Sequence, residues 1–240
     1  VALVTGSATG VGRATAVQLA KKGYAILVNY SRSQADAEAT VAEVRKVGVP
    51  AVLHKASVRD DAAVRAMVQV CLDELGGLDV LVNNAATTHF IDHTNLDALT
   101  DEVWDEILGV NLKGAFYCSR AALPALRERH GNIVNVTSVA GLGGQGSSIP
   151  YAASKAALNC MTKSLARAFG PEVRVNAVAP GPILTRWLAD HQEHVDRFVE
   201  GAPLKRAATP DDIADVVVFL ALGTSLMTGQ VVVVDGGRTM

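Results

Sequence analysis

Apolar residues along this chain follow two alternating rhythms. Short, nearly unbroken Val/Ile/Leu/Ala runs occupy residues 1–5, 25–29, 51–54, 80–83, 133–137, 173–178 and 231–234. Runs of that length read as strands covered on both faces, where neither side has to be polar. Between them, residues 13–22, 34–47, 62–75, 101–129, 151–169 and 211–222 carry the longer amphipathic patterns of helices. Gly23, Gly48, Gly76-Gly77, Gly131 and Gly170-Pro171 stand just past the helix ends, where a left-handed cap suits glycine. Pro150 and Pro210 stand at or just before helix starts, where a missing N–H costs little. The alternation predicts an α/β fold: a doubly wound, seven-stranded parallel sheet with helices on both faces. No linker, repeat or low-complexity tract interrupts it, so residues 1–240 read as one domain. Ligands of such sheets bind at the carboxyl ends of the strands, so the chemistry is sought there.

Composition narrows the class. Apolar residues make up 49% and charged residues 19%, a balance suited to a packed core and unlike a disordered chain. A net charge of −2 gives no nucleic-acid or anionic-membrane footprint. Cys71, Cys118 and Cys160 are few, odd in number and far apart, which fits free thiols in a reducing compartment. No apolar run approaches the ~20 residues that span a bilayer. A cytoplasmic protein is expected, although Val1 leaves open a preceding segment.

Three places carry candidate chemistry. Thr5-Gly-Ser-Ala-Thr-Gly-Val-Gly12 follows the first strand and opens the first helix. Its glycines, at positions 6, 10 and 12, permit a tight turn and close backbone approach to a pyrophosphate. No Lys-Ser/Thr follows, so it is not a Walker loop. The second strand runs into Tyr30-Ser31-Arg32-Ser33 with no acidic residue before Asp36. Arg32 and the two serines suit a 2′-phosphate, which favours NADP(H) and leaves NAD(H) open. Tyr151 and Lys155 lie four residues apart, on one face if helical. A cation beside a phenol favours the phenolate and draws its pKa from ~10 towards neutrality.

Thr5 to Gly12, Asn83-Asn-Ala-Ala86, Asn111, Ser138, Tyr151-x-x-x-Lys155 and Pro180-Gly-Pro-Ile-Leu-Thr185 occur in that order in one chain. Together with the Asp235-Gly-Gly237 end they resemble the single-domain branch of the short-chain dehydrogenase/reductase family, over essentially the whole chain. The resemblance implies a Rossmann-like fold and hydride transfer between a nicotinamide cofactor and a ketone or secondary alcohol. It implies Tyr151 as proton donor and acceptor and Ser138 as partner of the substrate oxygen. Lys155 would hold the nicotinamide ribose, and Asn111 would fix a water behind it. The cofactor contacts it implies, with those read from the residues, are Gly6, Ser7, Thr9, Gly10, Val11, Gly12, Tyr30, Ser31, Arg32, Ser57, Val58, Asn84, Ala85, Tyr151, Lys155, Pro180, Gly181, Ile183 and Thr185. Asn83 would join them on the adenosine side. Ser57 stands where the family often has Asp, and Ala86 where it often has Gly.

No metal is expected. The pairs His89/His93 and His191/His194 read as solvated faces, with His89 and Phe90 near the substrate. Substrate choice is expected from residues 87–90, 139–149 and a lid at 183–203. Leu142, Ile149 and Trp187 suggest an apolar cavity, and Gly141, Gly143, Gly144 and Gly146 leave it roomy. Within the family the pattern is similar to 3-oxoacyl-carrier-protein reductases and to sugar or polyol dehydrogenases such as glucose dehydrogenases. NADPH-dependent reduction of a 3-oxoacyl or other carbonyl substrate is favoured. A silent nucleotide-binding sensor, and epimerisation or dehydration on the same scaffold, are the alternatives. Arg127 and Arg129, with Glu128 between, are the candidate patch for a carrier protein. Ala115, Ala121, Ala122, Ala157 and Ala166 would allow close helix packing in the homotetramer the family implies.

Overall fold

The computed structural model describes residues 1–240, with the side chain of His194 outside the description. Strands β1 (Ala2–Val4), β2 (Ile26–Tyr30), β3 (Ala51–Lys55), β4 (Val80–Asn83), β5 (Asn132–Val136), β6 (Arg174–Pro180) and β7 (Val231–Val234) form one sheet in the order β3-β2-β1-β4-β5-β6-β7. Every pairing is parallel. The chain steps outward from β1 to β3 and then returns to β4 on the other side of β1. Loops leaving β1 and β4 therefore diverge, and a crevice opens between them.

Burial explains the unbroken apolar runs. Strands β1, β2, β4 and β5 are buried at every position. Ala2, Val4, Val28 and Val82 face a layer made by α1 (Gly10–Lys21), α2 (Gln34–Lys46) and α9 (Pro210–Val218). Leu3, Leu27, Leu81 and Ile133 face α3 (Asp61–Leu75) and α5 (Ala115–Glu128). Helix α7 (Ile149–Phe169) lies on that same side and adds Leu165, Ala166 and Phe169. Truncating one such leucine to alanine costs about 2–5 kcal/mol. Helix α9 starts on a capping box between Thr209 and Asp212, with proline in its first turn as expected. The remaining helices are α4 (Asp101–Leu108), the one-turn α6 (Ala140–Gly143) and α8 (Gln192–Gly201).

The structure departs from the expected elements in three ways. Residues 101–129 are not one helix: a π-helical turn, Gly109–Gly114, separates α4 from α5. Gly114 permits this turn to press on Val58, because a Cβ there would sit 2.6 Å from Val58 Cγ2. The last helix likewise widens into a π turn at Phe219–Gly223. Its carbonyls are drawn aside by Arg174, which donates to Leu220 O at 3.0 Å and Ala221 O at 2.8 Å. Gly131 and Gly170 are not left-handed caps; His130 takes the positive φ, 49°. Gly131 serves close approach instead, since a Cβ would lie 2.5 Å from Asp79 O.

Candidate functional site

The segment after β1 turns sharply because Gly6 and Gly10 take φ of 61° and 57°, conformations that L side chains avoid. Neighbouring strands hold the turn in place. Gly6 N donates to Asn29 Oδ1 at 3.0 Å, and Asn84 Nδ2 donates to Thr5 O at 2.9 Å and Gly6 O at 3.1 Å. Thr9 precedes α1 without a side-chain cap, and no acidic residue occupies the first turn. The amino end of α1 therefore faces the crevice with its N–H groups free of side-chain acceptors, an arrangement that fits a pyrophosphate.

That crevice is a cleft of about 1850 Å³, ample for a dinucleotide and a substrate together. It is lined by Gly6, Thr9, Gly10 and Val11 on the first turn, and by Tyr30, Ser31, Arg32, Ser57 and Val58 on the β2–β3 side. Asn84 and Ala85 border it after β4, and Pro180, Gly181, Ile183 and Thr185 after β6. Ser138, Tyr151 and Lys155 complete the lining. These expected residues converge from loops far apart in sequence.

Three expected contacts do not reach the cleft. Ser7 is fully buried beneath the turn, where its hydroxyl donates to Val4 O at 2.7 Å and accepts from Asn29 N at 3.0 Å. Gly12 lets α1 close on the turn: a Cβ would meet Gly6 O and Asn84 Nδ2 at 2.5 Å. Asn83 is buried, and its Nδ2 donates to Ser119 Oγ at 3.1 Å and Asn135 Oδ1 at 2.9 Å. All three position the cleft from behind.

Ser138 follows β5, and its Oγ accepts from Ala140 N at 3.1 Å. Tyr151 and Lys155 sit one turn apart on α7, which approaches closely because Gly141 has no side chain. A Cβ at Gly141 would be 2.5 Å from the Lys155 carbonyl carbon. Lys155 is 2% exposed; its Nζ donates to Val136 O at 2.9 Å and lies 5.6 Å from the Tyr151 ring centroid. Burial pushes the Lys155 pKa down to about 8. The expected depression of Tyr151 is absent from the chain by itself. Burial raises the phenol above its ordinary value, and a hydrogen bond with Ser138 offsets only part of that.

Asn111 sits in the π turn, buried and off the cleft. Its Oδ1 accepts from Thr87 N at 2.8 Å, and its Nδ2 donates to Thr87 O and Ser154 Oγ, both at 3.0 Å. Ser154 in turn donates to Tyr151 O at 2.7 Å. Ser154 was not among the expected residues, although it sits beside Lys155 in the Tyr151–Lys155 turn.

The far end of the cleft is lined by Phe90, Gly146, Trp187, Leu188, His191 and Phe198. Phe90 stacks on His191 with ring centroids 3.6 Å apart. Leu142 and Ile149 do not line the cleft; Leu142 points to solvent, 52% exposed. His89 turns away from it and pairs with Glu106 Oε2 at 2.9 Å. Among the described residues no group of three or more His, Cys, Asp or Glu is arranged to hold a metal; the His194 side chain lies outside them. Arg127 and Arg129 cannot serve the pocket as a basic patch. They pair with Glu172 and Asp79, and Arg129 lies just before β5, at the amino-terminal end of the strands and so opposite the cleft.

A family model described as "Enoyl-(Acyl carrier protein) reductase" matches residues 6–239. The chain is 45% identical to the "Granaticin polyketide synthase putative ketoacyl reductase 2" of Streptomyces violaceoruber, over 99% of this chain and 95% of that protein. It is 41% identical to the "3-oxoacyl-[acyl-carrier-protein] reductase FabG" of Staphylococcus aureus, over 100% of this chain and 98% of that one. The crystal structure of a "putative short-chain dehydrogenase/reductase" from Burkholderia xenovorans superimposes with a TM-score of 0.93 at 38% identity, over 99% and 96% of the two chains.

Proposed function

The chain belongs to the short-chain dehydrogenase/reductase family, and from that premise we propose that it reduces a 3-oxoacyl or related ketone with NADPH, using Tyr151 as the proton donor. A reduced nicotinamide cofactor, which the glycine turn, Arg32 and Lys155 would hold in the cleft, would supply the hydride. The chain's own residues do the rest. Ser138 donates a hydrogen bond to the carbonyl oxygen, where negative charge develops. Tyr151 delivers its proton to that oxygen as the alcohol forms. Its raised pKa keeps the phenol protonated at neutral pH, the state a reductase needs. Lys155, close beneath the ring, is placed to hold the nicotinamide ribose and to replace the lost proton. Asn111 and Ser154 steady the turn that carries both residues.

The observation that carries this reading is the convergence of Ser138, Tyr151 and Lys155 on one cleft with the glycine turn. The relatives named as ketoacyl and 3-oxoacyl reductases favour the substrate class. Arg32 and the serines beside it favour NADPH. The segment 183–203 is proposed as a lid over the substrate end, and a homotetramer as the working assembly. Among the described residues no helix is long and apolar enough to cross a membrane.

The test is Tyr151→Phe assayed with an acetoacetyl thioester. A loss of roughly 10²–10⁴-fold in kcat is expected, the usual share of general acid catalysis, with NADPH binding unchanged. Turnover near the wild-type rate would remove Tyr151 from its role. Wild-type activity on aldoses but not on the thioester would move the substrate class to sugars.

A further inference from the structure

Arg186 is the first residue beyond the Pro180–Thr185 motif, and it reaches across the cleft. Its Nη1 donates to Asp36 Oδ2 and its Nη2 to Ser33 Oγ, both at 2.9 Å. Ser33 and Asp36 belong to the start of α2, beside Arg32. Arg186 belongs to a 3-10 turn after β6, three strands from β1 on the opposite side of the sheet. The root of this segment is fixed, because Leu184 N donates to Ala208 O at 2.8 Å and Ala208 N to Pro182 O at 3.1 Å. Thr185 then passes over the glycine turn, its Cγ2 3.4 Å from where a Cβ on Gly10 would stand. The strap formed by Thr185 and Arg186 thus crosses the site argued above for the pyrophosphate and ends where the 2′-phosphate is expected.

The charges at this end are paired but not committed. Arg32 is 86% exposed and lies 3.5 Å from Glu106, while Arg186 and Asp36 are 56% and 45% exposed. Exposed pairs of this kind contribute little to stability. A dianionic phosphate offers a guanidinium charge-assisted bonds like those of a carboxylate, with more negative charge behind them. Ser33 makes no side-chain cap to its own helix, so its hydroxyl is free to turn to an anion. Asp36 would repel a phosphate placed beside it, and Arg186 can offset that by bridging the two, keeping Nη1 on Asp36 and turning Nη2 from Ser33 to the phosphate.

We propose that Arg186 is a second arginine for the 2′-phosphate, supplied by the lid, so that NADPH holds the segment 183–203 across the cleft more firmly than NADH does. The inference rests on the NADPH reading above. It makes cofactor choice and lid position one event, because the residue that reads the phosphate is itself part of the proposed lid.

Calorimetric titration of Arg186→Gln with 2′,5′-ADP, 5′-AMP, NADPH and NADH tests this without turnover. Loss of roughly tenfold or more is expected for the two ligands with a 2′-phosphate, and less than about twofold for the two without. In the wild type, hydrogen exchange over residues 186–201 should slow more with NADPH than with NADH, and Arg186→Gln should abolish that difference. Equal loss for all four ligands, or none, overturns the assignment. The two readings fail differently. If the wild type binds NADH more tightly than NADPH, and Arg32→Ala does not change this, the NADPH reading itself falls. If the wild type prefers NADPH and Arg32→Ala removes the preference while Arg186→Gln keeps it, only the role of Arg186 falls.

Discussion

A cation with almost no access to water has to be held by something, and at Lys155 the polar partner is a single carbonyl, Val136 O. The cost appears in its pKa, about 8 against 10.5 for the free side chain. Below pH 8 both the folded and the unfolded chain carry the charge, and the folded state bears the full burial penalty. Between pH 8 and 10.5 the unfolded chain holds a proton that the folded chain has released, so stability rises with pH. Cys71 and Cys118 act in the opposite direction. Burial pushes both thiols up to about 12 from 9, so above pH 9 ionisation favours the unfolded chain. The window from pH 8 to 9 belongs mainly to Lys155. Calorimetry of Lys155→Met should therefore show a higher Tm than wild type at pH 7, by roughly 2 °C or more, and a smaller rise from pH 8 to 9. A lower Tm at pH 7 would show that the Val136 bond outweighs the burial cost. On the proposed mechanism, stability here is given up for a charge the reaction needs, a trade seen at many functional sites.

Among the elements, α6 and α7 make the tightest approach that bears on the reaction. Gly141→Ala places a methyl 2.5 Å from the Lys155 carbonyl carbon, a backbone atom that cannot swing away. The expected result is a loss of about 1–3 kcal/mol with a lowered kcat, because α7 must shift and take Tyr151 and Lys155 with it. Binding of 2′,5′-ADP at the distant end of the cleft should be nearly unchanged. An unaltered kcat would mean that α7 tolerates the displacement. The strands and most of these helices were legible in the sequence because doubly buried strands leave unbroken apolar runs and helix ends carry Gly and Pro. The proposed catalytic residues were legible for another reason: Tyr151, Lys155 and Ser138 sit at short separations on either side of one loop. The two π turns were not. One depends on Arg174 reaching from β6, the other on Gly114 meeting Val58, and neither partner is near in sequence. Ser7 and Gly12 were misplaced because a turn that touches a ligand and the packing beneath it share the same few residues.

At the scale of the whole molecule, the alanines first read as subunit contacts divide. Ala115, Ala122 and Ala166 are buried within the chain's own core, while Ala121 and Ala157 keep some exposure. More apolar surface lies elsewhere: Phe219, Leu226, Val233 and Met240 are all exposed, Leu226 and Met240 almost fully. Native mass spectrometry is expected to give four times the 25.1 kDa chain; a monomer at micromolar concentration would rule the assembly out. The carrier patch misled although topology excludes it: residues 127–129 close a helix and precede a strand, so the alternation itself puts them at the amino ends of the strands, away from the cleft. The two outer strands of the sheet also differ in character. Strand β3 ends on His54 and Lys55, and a lysine at an edge discourages further pairing. Strand β7 is four valines with one neighbour only, β6. Uncovered, such a strand is a template for another chain to extend the sheet, and four valines in a row favour that growth. If a second subunit covers β7, subunits separated while still concentrated would meet edge to edge and aggregate, and returning to native conditions would not recover all of them.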